Sequence, residues 1–161
     1  MPTYAATFLD RILSNITTVL ETDLNGYVAA VDGQLWQVAS FDVPTEMTSI
    51  FPAVYVEPVG SLLDQAADDS RIDQEHELTI HLSITDVDFK NTRSAIAKYV
   101  VAIDRTIRQM TADELLTDVT SAVGAPVWEV TKHQYSGIFL NDQNLYRRDA
   151  ALTVKIQFME R

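Results

Sequence analysis

His76-Glu77-Leu78-Thr79-Ile80-His81-Leu82-Ser83-Ile84-Thr85 is the stretch on which the fold turns. Side chains on a strand alternate between its two faces, so His76, Leu78, Ile80, Leu82 and Ile84 point one way while Glu77, Thr79, His81, Ser83 and Thr85 point the other. That pattern reads as a strand with one face in the core and one face wet or shared with a partner.

The stretch before it, residues 60–74, sets Asp64, Asp68, Asp69 and Asp73 against a single Arg71 and reads as a long exposed acidic loop or arm. Ahead of that arm, residues 51–58 are β-branched and aromatic with Pro52 and Pro58 near the ends, which suits a strand at or near a sheet edge. Residues 27–50 hold apolar runs too short to assign and read as irregular. From about 3 to 25, Leu9, Ile12, Leu13, Ile16, Val19 and Leu20 fall within about 120° on a helical wheel, and Asn25-Gly26 supplies a stop.

After the central strand, residues 88–110 carry Phe89, Ile96, Tyr99, Val100, Ile103 and Ile107 on one helical arc. Lys90, Arg93, Lys98, Arg105 and Arg108 lie on another. Thr111-Ala112-Asp113-Glu114 is a capping box, and Leu115, Leu116, Val119 and Val123 extend a third helix from 112 to about 123, before Gly124 and Pro126. The last third reads as a hairpin. Residues 127 to about 135 alternate, a polar connection spans 137–148, and Leu152, Val154, Ile156 and Phe158 face one way. The expected class is α+β, with a mainly antiparallel sheet of about four strands and two long helices and one short helix packed on it.

The 161 residues, 47% hydrophobic, suit a single domain over 1–161. A net charge of −11, from 23 acidic and 12 basic residues, disfavours nucleic acid and anionic membrane as direct partners. The absence of cysteine removes disulfides, thiolate metal sites and cysteine nucleophiles. No apolar run approaches the roughly 18–20 residues that span a bilayer, and the N-terminus lacks a signal pattern, so the expectation is a soluble, unprocessed, intracellular product.

Little in the chain carries chemistry. The five glycines are too scattered for a phosphate-cradling loop. His76 and His81 face opposite sides of one strand, and His133 has no nearby ligand pair. The arm aspartates lack the alternation, the sixth-place glycine and the twelfth-place Glu of a calcium loop. Trp128, Tyr135, Phe139 and Tyr146 read as hairpin core. His81, Glu77 and Asp86 are the one cluster to nominate for an enzyme or ligand-binding domain. A further alternative is a regulator that binds a basic partner through the 60–74 acids. The basic arc reads first as a solvated helix face, then as a docking surface for the acidic arm of another copy, and last as a strip facing nucleic acid.

The element order resembles that of the tail terminator or tail-completion (neck) proteins of long-tailed bacteriophages. It has an N-terminal amphipathic helix, the strand Phe51-Pro52-Ala53-Val54-Tyr55-Val56, an acidic loop and the strand from Glu77 to Thr85. A helix with Ala95-Ile96-Ala97-Lys98-Tyr99-Val100 follows, then Tyr146-Arg147-Arg148 ahead of Leu152-Thr153-Val154-Lys155-Ile156-Gln157-Phe158. The resemblance implies a non-enzymatic virion protein, assembled in the host cytoplasm. Its copies form a ring, hexameric in that family, that caps the tail tube at the head–tail junction. Its implied partners are other copies of itself, the tail tube protein and the head-side connector, with DNA passing through the bore unbound. A tail-tube or head-completion subunit is the related alternative. No catalytic residue, metal or cofactor is implied. Six copies would carry 6 × (−11), about −66 formal charges, which keeps DNA from sticking. The candidates for subunit interfaces are Asp64, Asp68, Asp69 and Asp73 on the arm, with Lys98, Arg105, Arg108, Arg147 and Arg148 as possible counter-charges.

Overall fold

A computed structural model of the chain describes residues 8–65, 72–120 and 122–160. The elements are α1 (Phe8–Val31), β1 (Ala53–Gln65), β2 (Ile72–Asp86), α2 (Phe89–Gln109), α3 (Ala112–Leu115), β3 (Ala122–Tyr135), β4 (Phe139–Leu140) and β5 (Tyr146–Glu160). The class is α+β. One antiparallel sheet has the order β1-β2-β5-β3, and the short β4 pairs with the start of β5. The alternation in β2 holds: His76, Leu78, Ile80, Leu82 and Ile84 are all buried. They sit beside Ile156, Val154, Leu152, Ala150 and Arg148 of β5. β1 is an edge strand, as its prolines suggest. Val54 and Val56 face the core beside Leu82 and Ile80.

α1 runs six residues past the expected stop. Leu24 and Val28 continue the buried stripe of Ile12, Ile16 and Leu20. Burying a valine is worth about 1.5–3 kcal/mol against roughly 1 kcal/mol for a mid-helix glycine, so the helix carries through Gly26. Asn25, read as part of the stop, instead clamps the following loop. Its Oδ1 accepts from Val38 N at 2.8 Å and its Nδ2 donates to Val38 O at 3.2 Å.

The 60–74 arm is also corrected. Most of it is ladder: the β1–β2 pairing continues from Gly60↔Glu77 to Gln65↔Ile72, past an irregularity between Pro58 and Gly60. Backbone hydrogen bonds carry a strand whose side chains are polar or exposed, so the alternation used to find β2 has nothing to act on here. Asp68 and Asp69 lie outside the described residues.

α3 stops at Leu115, well short of 123. Asn15 of α1 donates to Leu115 O at 2.8 Å and to Thr117 O at 2.9 Å, occupying the carbonyls that a continuing helix would need. Asp118 then takes the left-handed conformation at φ 58°. The expected capping box is present, with Thr111 and Glu114 bonded reciprocally. β3 starts at Ala122, earlier than expected, and Gly124 at φ +77° and Pro126 lie in an irregularity of that strand rather than at a helix stop. A second irregularity between Val130 and Lys132 shifts the alternation. His133 joins the helix side, where its Nε2 meets Asp104 Oδ2 at 2.8 Å.

α1 and α2 pack against each other and over the same face of the sheet, which buries Ile96, Val100, Ile103 and Ile107 with the strand residues above. Asp88 caps α2 by accepting from Lys90 N at 2.9 Å. Trp128 ties β3 to α2 through Nε1 and Ile107 O at 2.9 Å.

Candidate subunit interface

The exposed apolar side chains gather at the two ends of the strands. Antiparallel register places the start of β1, the end of β2, the start of β5 and the end of β3 together, along with the loops 32–52, 86–88 and 136–145. At this end Trp36 is 79% exposed, Met47 77% and Val87 80%, with Ile50 and Leu140 also open. At the other end Leu62 and Leu63 stand out from β1. They wall a groove of about 610 Å³ that runs past Gln157 and Phe158 to Gly124 and Ala125.

Between these ends, the sheet face away from the helices is polar. Glu57 Oε1 lies 2.7 Å from His81 Nε2, and Glu75 accepts from Gln157 Nε2 at 2.8 Å and meets Lys155 Nζ at 3.6 Å. Beside β1, the residues Val59, Gly60, Ser61, Leu62, Glu75 and Glu77 enclose a shallow depression of about 300 Å³. It has apolar walls and carboxylates at its side.

The outer face of α2 has the opposite sign. Lys90, Arg93, Ala97, Val101, Arg105 and Arg108 recur at helical spacing and are exposed. Arg108 Nε bonds Asp104 at i,i+4, and that carboxylate holds the Arg108 guanidinium above its usual range. Among the described residues, Lys90, Arg93 and Arg105 make no ion pair.

The structure separates the sequence candidates into three groups. Asp73 is exposed and lines the groove beside Leu62 and Leu63; Asp64 is in β1, opposite Asp73, with its side chain undescribed. Arg105 is free on the outer face of α2. The remaining cations have partners within the chain. Lys98 Nζ donates to Asp32 Oδ2 at 2.6 Å, and this bond, with one from Gln34 N–H, lowers the Asp32 carboxyl. Arg148 Nε donates to Ser136 O at 3.0 Å and lies over Tyr135.

Arg147 is well enclosed, with a side chain 11% exposed. It donates to Asp149 Oδ1 at 2.9 Å, Thr45 O at 3.0 Å and Ser83 Oγ at 3.0 Å, and its guanidinium sits near the rings of Phe51 and Phe139. It therefore ties the 41–51 loop onto the sheet. Arg147→Met keeps the aliphatic stem but leaves the Asp149 carboxylate without its cation, held by the Ser83 hydroxyl at 2.6 Å, and is expected to cost about 2 kcal/mol in denaturant unfolding, discounted because Asp149 is partly wet. Hydrogen exchange should quicken at Val54 N and Ala39 N, whose bonds to Ser40 O and Pro52 O hold the same loop.

The nominated ligand cluster is not brought together. His81 and Glu77 share a face but stand four residues apart, about 13 Å along a strand. Asp86 instead accepts from Asp88 N at 2.9 Å and Asn91 Nδ2 at 3.2 Å, shaping the turn into α2. His76 is buried against Phe158, with Ser61 Oγ at 2.5 Å from Nδ1 and Gln74 Oε1 at 2.8 Å from Nε2. Among the described residues, no group of three or more His, Asp or Glu is placed to hold a metal, and no helix is long and apolar enough to cross a membrane. The acidic depression was missed in the sequence. Its one signal was the apolar pair Leu62-Leu63 inside an otherwise polar stretch.

No protein-family model matches the sequence, and no curated protein does. Among solved structures, the chain is similar to one described as the virion of a native gene transfer agent (GTA) particle. Identity is 14%, 95% of this chain and 99% of that chain are covered, and the TM-score is 0.47. At that score the similarity carries no argument about role.

Proposed function

We propose that the chain is a phage-like structural virion protein, a ring component at the head–tail junction that caps the tail tube and joins it to the neck, without catalysis of its own. The observation that supports this reading is the pair of unlike apolar surfaces at opposite ends of the strands, on a chain of net charge −11. Exposed apolar clusters of this kind mark contact surfaces. A two-fold dimer uses one self-complementary patch, whereas two different patches call for a head-to-tail contact or for two different partners. A ring subunit wedged between a tube and a connector has both needs. The element order in the fold also keeps the sequence on which the resemblance to tail terminator proteins rests.

Labelling the chain in intact particles and locating the label by electron microscopy tests the placement. Label at the top of the tail supports the terminator reading. Label along the tube or inside the head would replace it with a tube or head-completion role, and absence from particles would remove the virion role.

A further inference from the structure

We propose that the acidic depression beside β1 receives the outer face of α2 from a second copy of this chain. The inference rests on the ring reading and names its contact.

Charge and shape select this pairing. The depression sets Val59 and Leu62 around the carboxylates of Glu75 and Glu77, and Asp73 adds charge nearby. Glu75 is already engaged by Lys155 and Gln157, whereas Glu77 makes no ion pair among the described residues. The α2 strip is the counterpart, with small or apolar Ala97 and Val101 in the middle and Lys90, Arg93 and Arg105 around them. Apolar would meet apolar, and the unpaired carboxylate would meet unpaired cations.

β1 lies at one edge of the sheet, and α2 packs mainly over β5 and β2, away from it. The two surfaces therefore belong to different sides of one molecule, and their union is head-to-tail. Such a contact repeats from copy to copy and closes into a ring when the rotation permits. An ionic contact of this type is screened by salt.

The test uses the full chain and four variants, with native mass and association constants from sedimentation at low and high salt. Glu77→Lys and Arg105→Glu, each alone, are expected to weaken association at least about tenfold at low salt. Mixed in equal amounts, the two variants should recover assembly, because alternating copies join two reversed surfaces at one contact and two native surfaces at the next, opposite in sign each time. So should the chain carrying both changes. Asp142→Lys, at the exposed tip of the β4–β5 turn, makes the same change in net charge as Glu77→Lys and should assemble normally. Arg105 is exposed, so Arg105→Glu should melt as the wild type does; Glu77 is half-buried opposite Lys155 of β5, so Glu77→Lys is expected to melt somewhat lower and is assayed below its own transition, with its fold checked by circular dichroism. Wild-type assembly by the single variants, or failure of the mixture to recover, would overturn this contact and leave the ring reading standing. A wild-type chain that stays monomeric at low salt and also inside assembled particles would overturn both.

Discussion

Leu152→Ala is expected to lower the unfolding free energy by about 3.5 kcal/mol, from the 2–5 kcal/mol range for fully buried leucines. Leu152 has no exposed surface, sits in the central strand β5 and pairs with Ile80 of β2 and His133 of β3. Helix α2 covers it on the one side, so the strands and helix would have to move together to close the cavity. A domain of this size has roughly 5–15 kcal/mol in total, so one such change takes a large share. Denaturant unfolding should show a lower midpoint with an unchanged slope. Leu140→Ala, on the exposed β4, should shift it by less than about 0.5 kcal/mol. Equal effects at both positions would contradict the placement of the core.

The second large effect is a loss of stability in alkali. Tyr99 is buried, and that burial pushes its phenol up to about 12, only partly offset by the hydrogen bond that its hydroxyl donates to Trp36 O at 2.6 Å. Below pH 10 the phenol is protonated in both states, and its contribution is complete. Between pH 10 and about 12 the unfolded chain loses this proton while the folded one keeps it, so stability falls as pH rises. Two pH units at about 1.4 kcal/mol each make the loss roughly 3 kcal/mol. Tyr99→Phe changes nothing but this hydroxyl, so the difference between the alkaline limbs of the two proteins isolates it. The Phe variant should be less stable near neutral pH by about 1 kcal/mol, for the lost bond to Trp36 O, and should show a shallower alkaline limb. Parallel limbs for the two proteins would contradict the assignment.

How far the fold could be read in advance follows from which residues carry periodic burial. β2, α2 and the second half of β5 are half-buried elements whose apolar residues repeat at period 2 or 3.6, and those were legible. The distal half of β1 is held by backbone bonds, with little burial on either face. Its residues 57–63 are exposed and show no alternation to detect. The stop read at Asn25-Gly26 failed because Val28 adds core contact beyond it, and the third helix was overextended because its end is fixed by Asn15, about 100 residues away in the chain. No local rule contains that side chain.

The candidate surfaces were legible as charge and not as geometry. The basic arc on α2 could be seen as a strip. That Lys98 and Arg108 are already paired, while Arg105 is not, depends on where Asp32 and Asp104 fall in the fold. Arg147 had looked like a free cation at a strand start. Its enclosure by Phe51, Thr45, Ser83 and Asp149 needs four segments to converge, and so it had no signature in the sequence.

The most direct test of the central claim is the native mass of the purified chain at low salt, by sedimentation equilibrium or native mass spectrometry. The account predicts a closed ring of identical copies. For six subunits of 18.0 kDa the mass would be 6 × 18.0, about 108 kDa. A single species at 18.0 kDa, at every protein concentration and also inside assembled particles, would contradict it.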